Sequence, residues 1–200
     1  MIPAIVLAAG KSTRMGRPKA MLPLEGGDTF LTRIVRTFLD AEIDDVVVVV
    51  GADAGVIVDA FEASGLAARF VENTAFEQGQ LSSLLAGLRV VDRPGLAATL
   101  VTLVDVPFVA VSTVRAVVDR YRQTHAPIVR PVSGTRHGHP VLIDRSLFAA
   151  IRAAEPSAGA KGVVRAHASS AGDVEVEDEG AFADIDTPDQ YERAAIERRR

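Results

Sequence analysis

A chain of 200 residues and 21.2 kDa suits one α/β domain built on one hydrophobic core, and at this size it buries about 70% of its unfolded surface. A formal net charge of -4 and a pI near 5.6 exclude a nucleic-acid binder working through a broad basic face; the only basic run, Arg198-Arg199-Arg200, reads as a solvated end. Cys 0 excludes disulfides, thiolate metal sites and cysteine nucleophiles, and no apolar run reaches the ~20 residues that span a bilayer, so a soluble cytoplasmic protein with no membrane partner is expected.

The first element is an apolar strand, Ile2 to Leu7, which runs directly into the loop Ala8-Ala9-Gly10-Lys11-Ser12-Thr13-Arg14-Met15-Gly16-Arg17-Pro18-Lys19. It is not a P-loop, because Lys11 follows Gly10 directly and Gly16 is followed by Arg17 and Pro18. Nor is it a dinucleotide fingerprint, because only Gly10 and Gly16 are present. Ala8, Ala9 and Gly10 lack bulk, so backbone amides there can approach an anion closely. Arg14 can grip phosphate oxygens in a bidentate way and Lys19 supplies a point charge behind the stiff Pro18. A nucleoside triphosphate is the ligand this combination suggests, a surface turn with solvated basic residues being the plain alternative.

Phe30, Leu31, Ile34, Val35, Phe38 and Leu39 recur at helical spacing behind a Thr29 or Asp28 cap, predicting a helix over 29–41. The five valines Val46 to Val50 predict a strand buried on both faces, hence a central parallel strand between helix layers. Gly51 ends it. A helix over 53–63, a strand over 68–72, a helix over 80–91, a strand over 99–104 and a helix from a Ser112 cap continue the alternation, which argues a doubly wound sheet with helices on both faces. From Ile128 the pattern loosens. Strands at 128–132 and 141–143 flank the turn Ser133 to Pro140; a short helix follows over 145–153, then a further helix at 161–167, a strand at 174–177 and a helix opened by the capping box Thr187-Pro188-Asp189-Gln190. One domain over 1–200 is expected, with an NTP-binding half at about 1–126 and an acceptor-side subregion at about 127–200.

Asp105 is the strongest single carboxylate, because it stands where an apolar strand ends, and ligands of open α/β sheets bind outside the carboxyl ends of strands; a helix or turn cap next to Pro107 is the plain alternative. Asp184-Ile185-Asp186 offers a second pair, which strand alternation would put on one face with Ile185 in the core. Asp186 is favoured as a metal ligand with Asp184 its competitor or helper, the plain alternative being that Asp186, just before the Thr187 cap, only favours the helix dipole; carboxylates plus substrate phosphates are how Mg²⁺ is usually held. Gly79, Gln80, Ser82 and Ser83 lie at a helix start, where amides and hydroxyls can bind an anion or simply cap the helix. Asn73, past a strand end, could contact a nucleoside or merely build a turn. His137 and His139 lack the third ligand of a zinc site, leaving a substrate contact by His139 as the functional reading and a polar loop as the plain one.

Leu7-Ala8-Ala9-Gly10, Arg14-Met15-Gly16 and Pro18-Lys19 resemble the L-A-A-G-x-x-x-R-M-G-x-x-K signature of small NTP transferases. The match continues through Gly79-Gln80-Leu81-Ser82-Ser83-Leu84, Leu103-Val104-Asp105-Val106-Pro107, Gly138-His139-Pro140-Val141 and Asp184-Ile185-Asp186-Thr187-Pro188. The chain is most similar to the molybdenum cofactor cytidylyltransferases within the molybdopterin nucleotidyltransferase family. The resemblance implies a Rossmann-like three-layer α/β/α fold with a mostly parallel sheet, Mg²⁺ dependence, and transfer of CMP from CTP to the phosphate of molybdopterin with release of pyrophosphate. Ala9 resembles the cytidylyl branch, the guanylyl branch tending to Gly there. In residue terms it implies nucleotide contacts by Leu7, Ala8, Ala9, Gly10, Lys11, Ser12, Asn73, Gly79, Ser82 and Ser83, acceptor contacts by Gln78, Gln80 and His139, and chemistry at Arg14, Lys19 and Asp105, with metal at Asp105 and Asp186. A transient contact with a molybdoenzyme or its chaperone is a further implied partner.

Two stretches depart from the family pattern: Gln80 and Leu81 replace the second and third residues of a frequent G-M-S-S-S, and Ser157-Ala158-Gly159-Ala160 lacks an acidic residue before Lys161. Other readings are a guanylyltransferase of the same family, transfer to a sugar phosphate, polyol phosphate or phospholactate-like acid, and a nucleotide-binding regulator without chemistry. An NAD-dependent dehydrogenase fails on glycine spacing.

Overall fold

The computed structural model describes residues 1–12 and 15–197; Arg14 and the Arg198-Arg199-Arg200 end lie outside the described residues. Eight strands form one sheet: β1 (Ala4–Leu7), β2 (Val46–Val50), β3 (Arg69–Glu72), β4 (Ala98–Leu103), β5 (Ile128–Ser133), β6 (Arg136–His137), β7 (Val141–Asp144) and β8 (Asp173–Glu175). Their order is β3-β2-β1-β4-β7-β5-β6, with β8 paired to β5. The first four strands are mutually parallel; β7 is antiparallel to β4 and β5, and β6 to β5, while β8 is parallel to β5. The sheet is therefore mixed but mostly parallel, a Rossmann-like arrangement.

Side-chain alternation along β2 divides the core. Val46, Val48 and Val50 face α1 (Phe30–Asp40), α2 (Ala54–Glu62) and α4 (Val111–Thr124), whereas Val47 and Val49 face α3 (Gln80–Val91), α5 (Phe148–Arg152) and α6 (Lys161–His167). All five valines are buried, as a strand covered on both faces requires. α7 (Pro188–Glu197) closes the described chain behind its expected box: Gln190 Oε1 accepts from the Thr187 amide at 2.9 Å, and the Gln190 amide donates to Thr187 Oγ1 at 3.3 Å.

Three local expectations are corrected. Ser112 does not cap α4; the helix starts at Val111 with no side-chain cap, and its start is instead tied down by the distant Asp178, whose carboxylate accepts from the Ala110 amide at 2.8 Å and from the Thr113 hydroxyl at 2.7 Å. The helix expected over 145–153 opens instead as a 3-10 turn, Arg145–Leu147, before α5. Asp184-Ile185-Asp186 is not strand; Ile185 is buried as expected, but it is fixed by its amide donating to the Asp105 carbonyl at 2.8 Å.

Candidate functional site

Strand order decides where a site can form. β1 has β2 and β3 on one side and β4 on the other, so the chain turns away in opposite directions beyond its carboxyl end, the usual place for a ligand crevice. Leu7 and Leu103 are registered partners at the ends of β1 and β4. The Ala8 to Lys19 loop and the Val104-Asp105 corner therefore leave the sheet side by side.

Lys19 lies at the centre of this junction. Its Nζ donates to Asp105 Oδ2 at 3.2 Å and to Asp186 Oδ1 at 2.5 Å, with the three side chains 11%, 21% and 29% exposed. Asp186 reaches it because the Ile185 amide is hydrogen-bonded to the Asp105 backbone, which draws a segment 80 residues later against the end of β4. The Lys19 end is held too: its amide donates to Ser12 Oγ at 2.9 Å, with Ser12 in the left-handed region at φ 48°. Asp105 Oδ1 is buried without a hydrogen-bond partner.

These groups form one wall of a cleft of about 320 Å³. Leu7, Ala9, Gly10 and Ser12 from the first loop and Gly79, Gln80 and Ser83 from the start of α3 line the rest, together with Phe76, Leu103 and Val104. No side chain caps α3, and its first turn carries no acid, so the partial positive charge of its N-terminus is left for a ligand in the cleft.

Several expected residues lie elsewhere. The Ala8 amide already donates to the Val49 carbonyl at 2.8 Å, so it is not open to an anion. Asn73 is buried; its Nδ2 donates to Ser82 Oγ at 2.8 Å and Ser83 Oγ at 3.0 Å, and its Oδ1 accepts from the Ala75 amide. Ser82 Oγ in turn contacts the Ala75 and Gly79 carbonyls. Both residues shape the loop before α3 and neither lines the cleft. Lys11 points to Glu77, with Nζ 2.5 Å from Oε1 and 5.7 Å from the Phe76 ring centre. Gln78 is exposed in the 3-10 turn Phe76–Gln78 and lines no part of the cleft. Asp184 is exposed and outside the cleft, which separates it from Asp186. Phe76 was not anticipated, since a single aromatic ahead of the Gly79 loop has no periodic or motif signal.

A second compartment of about 450 Å³ adjoins the first, sharing Leu7, Gln80 and Leu103 with it. Leu81, Leu84, Val101, Val141 and Ile143 give it an apolar floor, and the Pro156 to Lys161 segment forms its outer wall. His139 lies here, its Nδ1 3.5 Å from the Val101 carbonyl. Burial of the ring holds its pKa below the ordinary 6.5, against the opposing pull of the Val101 carbonyl, Asp105 and Asp184. A depressed histidine makes the folded state bind fewer protons than the unfolded one, so stability falls as pH drops below about 6.5 towards the folded pKa. Urea unfolding of wild type and His139→Gln at about pH 7 and pH 5.5 is expected to show a smaller acid loss in the variant.

A family model described as MobA-like NTP transferase domain matches residues 4–171. Among curated relatives, nicotine blue oxidoreductase of Paenarthrobacter nicotinovorans is 31% identical over 205 residues, covering 96% of this chain and 95% of that one. A probable molybdenum cofactor guanylyltransferase of Mycobacterium tuberculosis is 34% identical over 133 residues, covering 66% and 63%. The solved structure of Rv0371c from Mycobacterium tuberculosis H37Rv superposes with a TM-score of 0.78 at 27% identity over 98% of each chain. The same protein in complex with manganese gives a TM-score of 0.75 at 28% identity, again over 98% of each chain.

Proposed function

We propose that this chain, which belongs to the MobA-like NTP transferase family, transfers a cytidylyl group from CTP to the phosphate of molybdopterin and releases pyrophosphate. The observation that carries the reading is the convergence of Lys19, Asp105 and Asp186 at the carboxyl ends of β1 and β4, facing a cleft of triphosphate-binding character.

In this reading the amides near Ala9 and Gly10 and the N-terminus of α3 hold the nucleotide, with Ser12 and Ser83 beside it. Lys19 neutralises the phosphates and, with Arg14, the departing pyrophosphate. Asp105 and Asp186 suit a divalent cation: two carboxylates from different segments meet at one point, and Asp105 Oδ1 has no protein partner to satisfy it. Among the described residues no cluster of three or more acidic or histidine side chains is present, so water and substrate phosphate would complete the shell of an ion held by this pair. A bound divalent ion would supply charge stabilisation at the α-phosphate. An oxygen of the acceptor phosphate forms the new bond to the α-phosphorus as the bond to pyrophosphate breaks; an ionised phosphate needs no general base, so positioning and charge stabilisation suffice.

Two features bear on the choice of substrates. The apolar floor beside the cleft suits a flat heterocycle such as a pterin better than a polyol, with Gln80 and His139 at its edge. Ala9 lines the cleft, and its resemblance to the cytidylyl branch is what supports CTP. The relative named a guanylyltransferase keeps GTP as the second reading. Pyrophosphate release measured with CTP, GTP, UTP and ATP, each against molybdopterin and a panel of sugar phosphates, tests both. Release with CTP and molybdopterin is expected; turnover only with a sugar phosphate, or a redox activity that needs no triphosphate, overturns the proposal.

A further inference from the structure

The ammonium of Lys19 occupies the point at which the two carboxylates of Asp105 and Asp186 converge, and it is the most deeply buried of the three side chains. A cation drawn to this pair therefore meets a resident one, in a partly buried setting where like charges repel more strongly than in water. Lys19 is also held from behind, its backbone fastened to Ser12 and continued in the short 3-10 turn Lys19–Met21, with Ala20 in the core. The ammonium is thus a built-in counter-ion rather than a side chain that happens to reach the acids.

We propose that Lys19 serves as a placeholder for the divalent cation: it offsets part of the charge of the Asp105–Asp186 pair while the cleft lacks nucleotide, makes metal binding by the protein alone weak, and yields the pair only when a triphosphate offers the ammonium another anion. Metal and nucleotide entry are thereby coupled through Lys19. This rests on the reading of Asp105 and Asp186 as the metal pair.

The test measures Mn²⁺ uptake by the full chain without nucleotide, read as loss of the free-ion electron paramagnetic resonance signal. Lys19→Met and Lys19→Gln, checked for folding by circular dichroism, are expected to bind one Mn²⁺ at least about tenfold more tightly than wild type. Their melting temperatures rise with Mn²⁺ while that of wild type stays nearly constant. A methylene-bridged triphosphate analogue at saturation strengthens Mn²⁺ uptake more in wild type than in the variants; chelation by the nucleotide itself is common to both and cancels. Equal affinity in wild type and Lys19→Met, with Asp105→Asn abolishing both, overturns the placeholder and leaves the metal pair standing. No uptake by folded Lys19→Met overturns the placeholder, and metal-independent pyrophosphate release by wild type would remove the metal pair as well. Should neither variant fold, tight uptake by wild type alone, at a Kd of about 10 μM or below, still overturns the proposal.

Discussion

Asp105→Asn is expected to lower pyrophosphate release by about 10²- to 10³-fold or more while leaving the fold intact. Asparagine matches aspartate in size, so the end of β4 and the hydrogen bond from the Ile185 amide to the residue 105 carbonyl are kept. What goes is the charge: Lys19 loses its 3.2 Å partner, and the buried Oδ1 position can no longer serve as an anionic ligand. Steady-state pyrophosphate release, with thermal unfolding to confirm the fold, checks this. Asp184→Asn, at an exposed position outside the cleft, is the matched control and should change little. Near-native turnover by Asp105→Asn would remove Asp105 from the chemistry.

Gly51→Ala is expected to damage the cleft without removing a polar side chain from it. A Cβ at residue 51 would stand 2.5 Å from the Ala9 carbonyl oxygen and 3.0 Å from Phe76 Cγ. The first contact is with backbone, which cannot rotate away, so the Ala9 loop must move outward. Overpacking of this kind costs about 1–3 kcal/mol of stability, and a displacement of about 1 Å at a reacting site can cost about 10² in rate. Urea unfolding should show the first effect and a raised KM with lowered kcat the second. Gly55→Ala, where an added Cβ meets nothing within 4 Å, should be neutral or slightly stabilising. If Gly51→Ala matches wild type in both measurements, the first loop is not held by this contact.

Periodicity and local punctuation carried the elements of the fold. The valine run of β2, the stripes of α1 and α3 and the box at Thr187 are local signals, set by side-chain spacing of 2 or 3.6 residues and by nearby hydrogen bonds, and the structure has them where the spacing puts them. The anchoring of the start of α4 was not legible, because Ser112 is a good local candidate and Asp178, which holds the Ala110 amide and the Thr113 hydroxyl, is distant in sequence. Strand direction beyond β4 was not legible either, since an apolar run is the same read in either sense. The two stretches that depart from the family pattern, Gln80-Leu81 and Ser157 to Ala160, are brought together in the second compartment, a pairing that sequence order conceals.

The sequence by itself determined the α/β class, the first loop and its small residues, and the list from which a site could be drawn, because propensity, periodicity and motif spacing act over a few residues. Only the tertiary structure decided which of the candidates stand together. It placed Lys19 between Asp105 and Asp186, left Asp184 outside, and turned Asn73 and Ser82 inward to shape the loop before α3. The physical reason is that a carboxylate's neighbours are set by strand order and by long-range contacts such as the Ile185 amide on the Asp105 carbonyl, and these join residues whose separation in the chain says nothing of their separation in space.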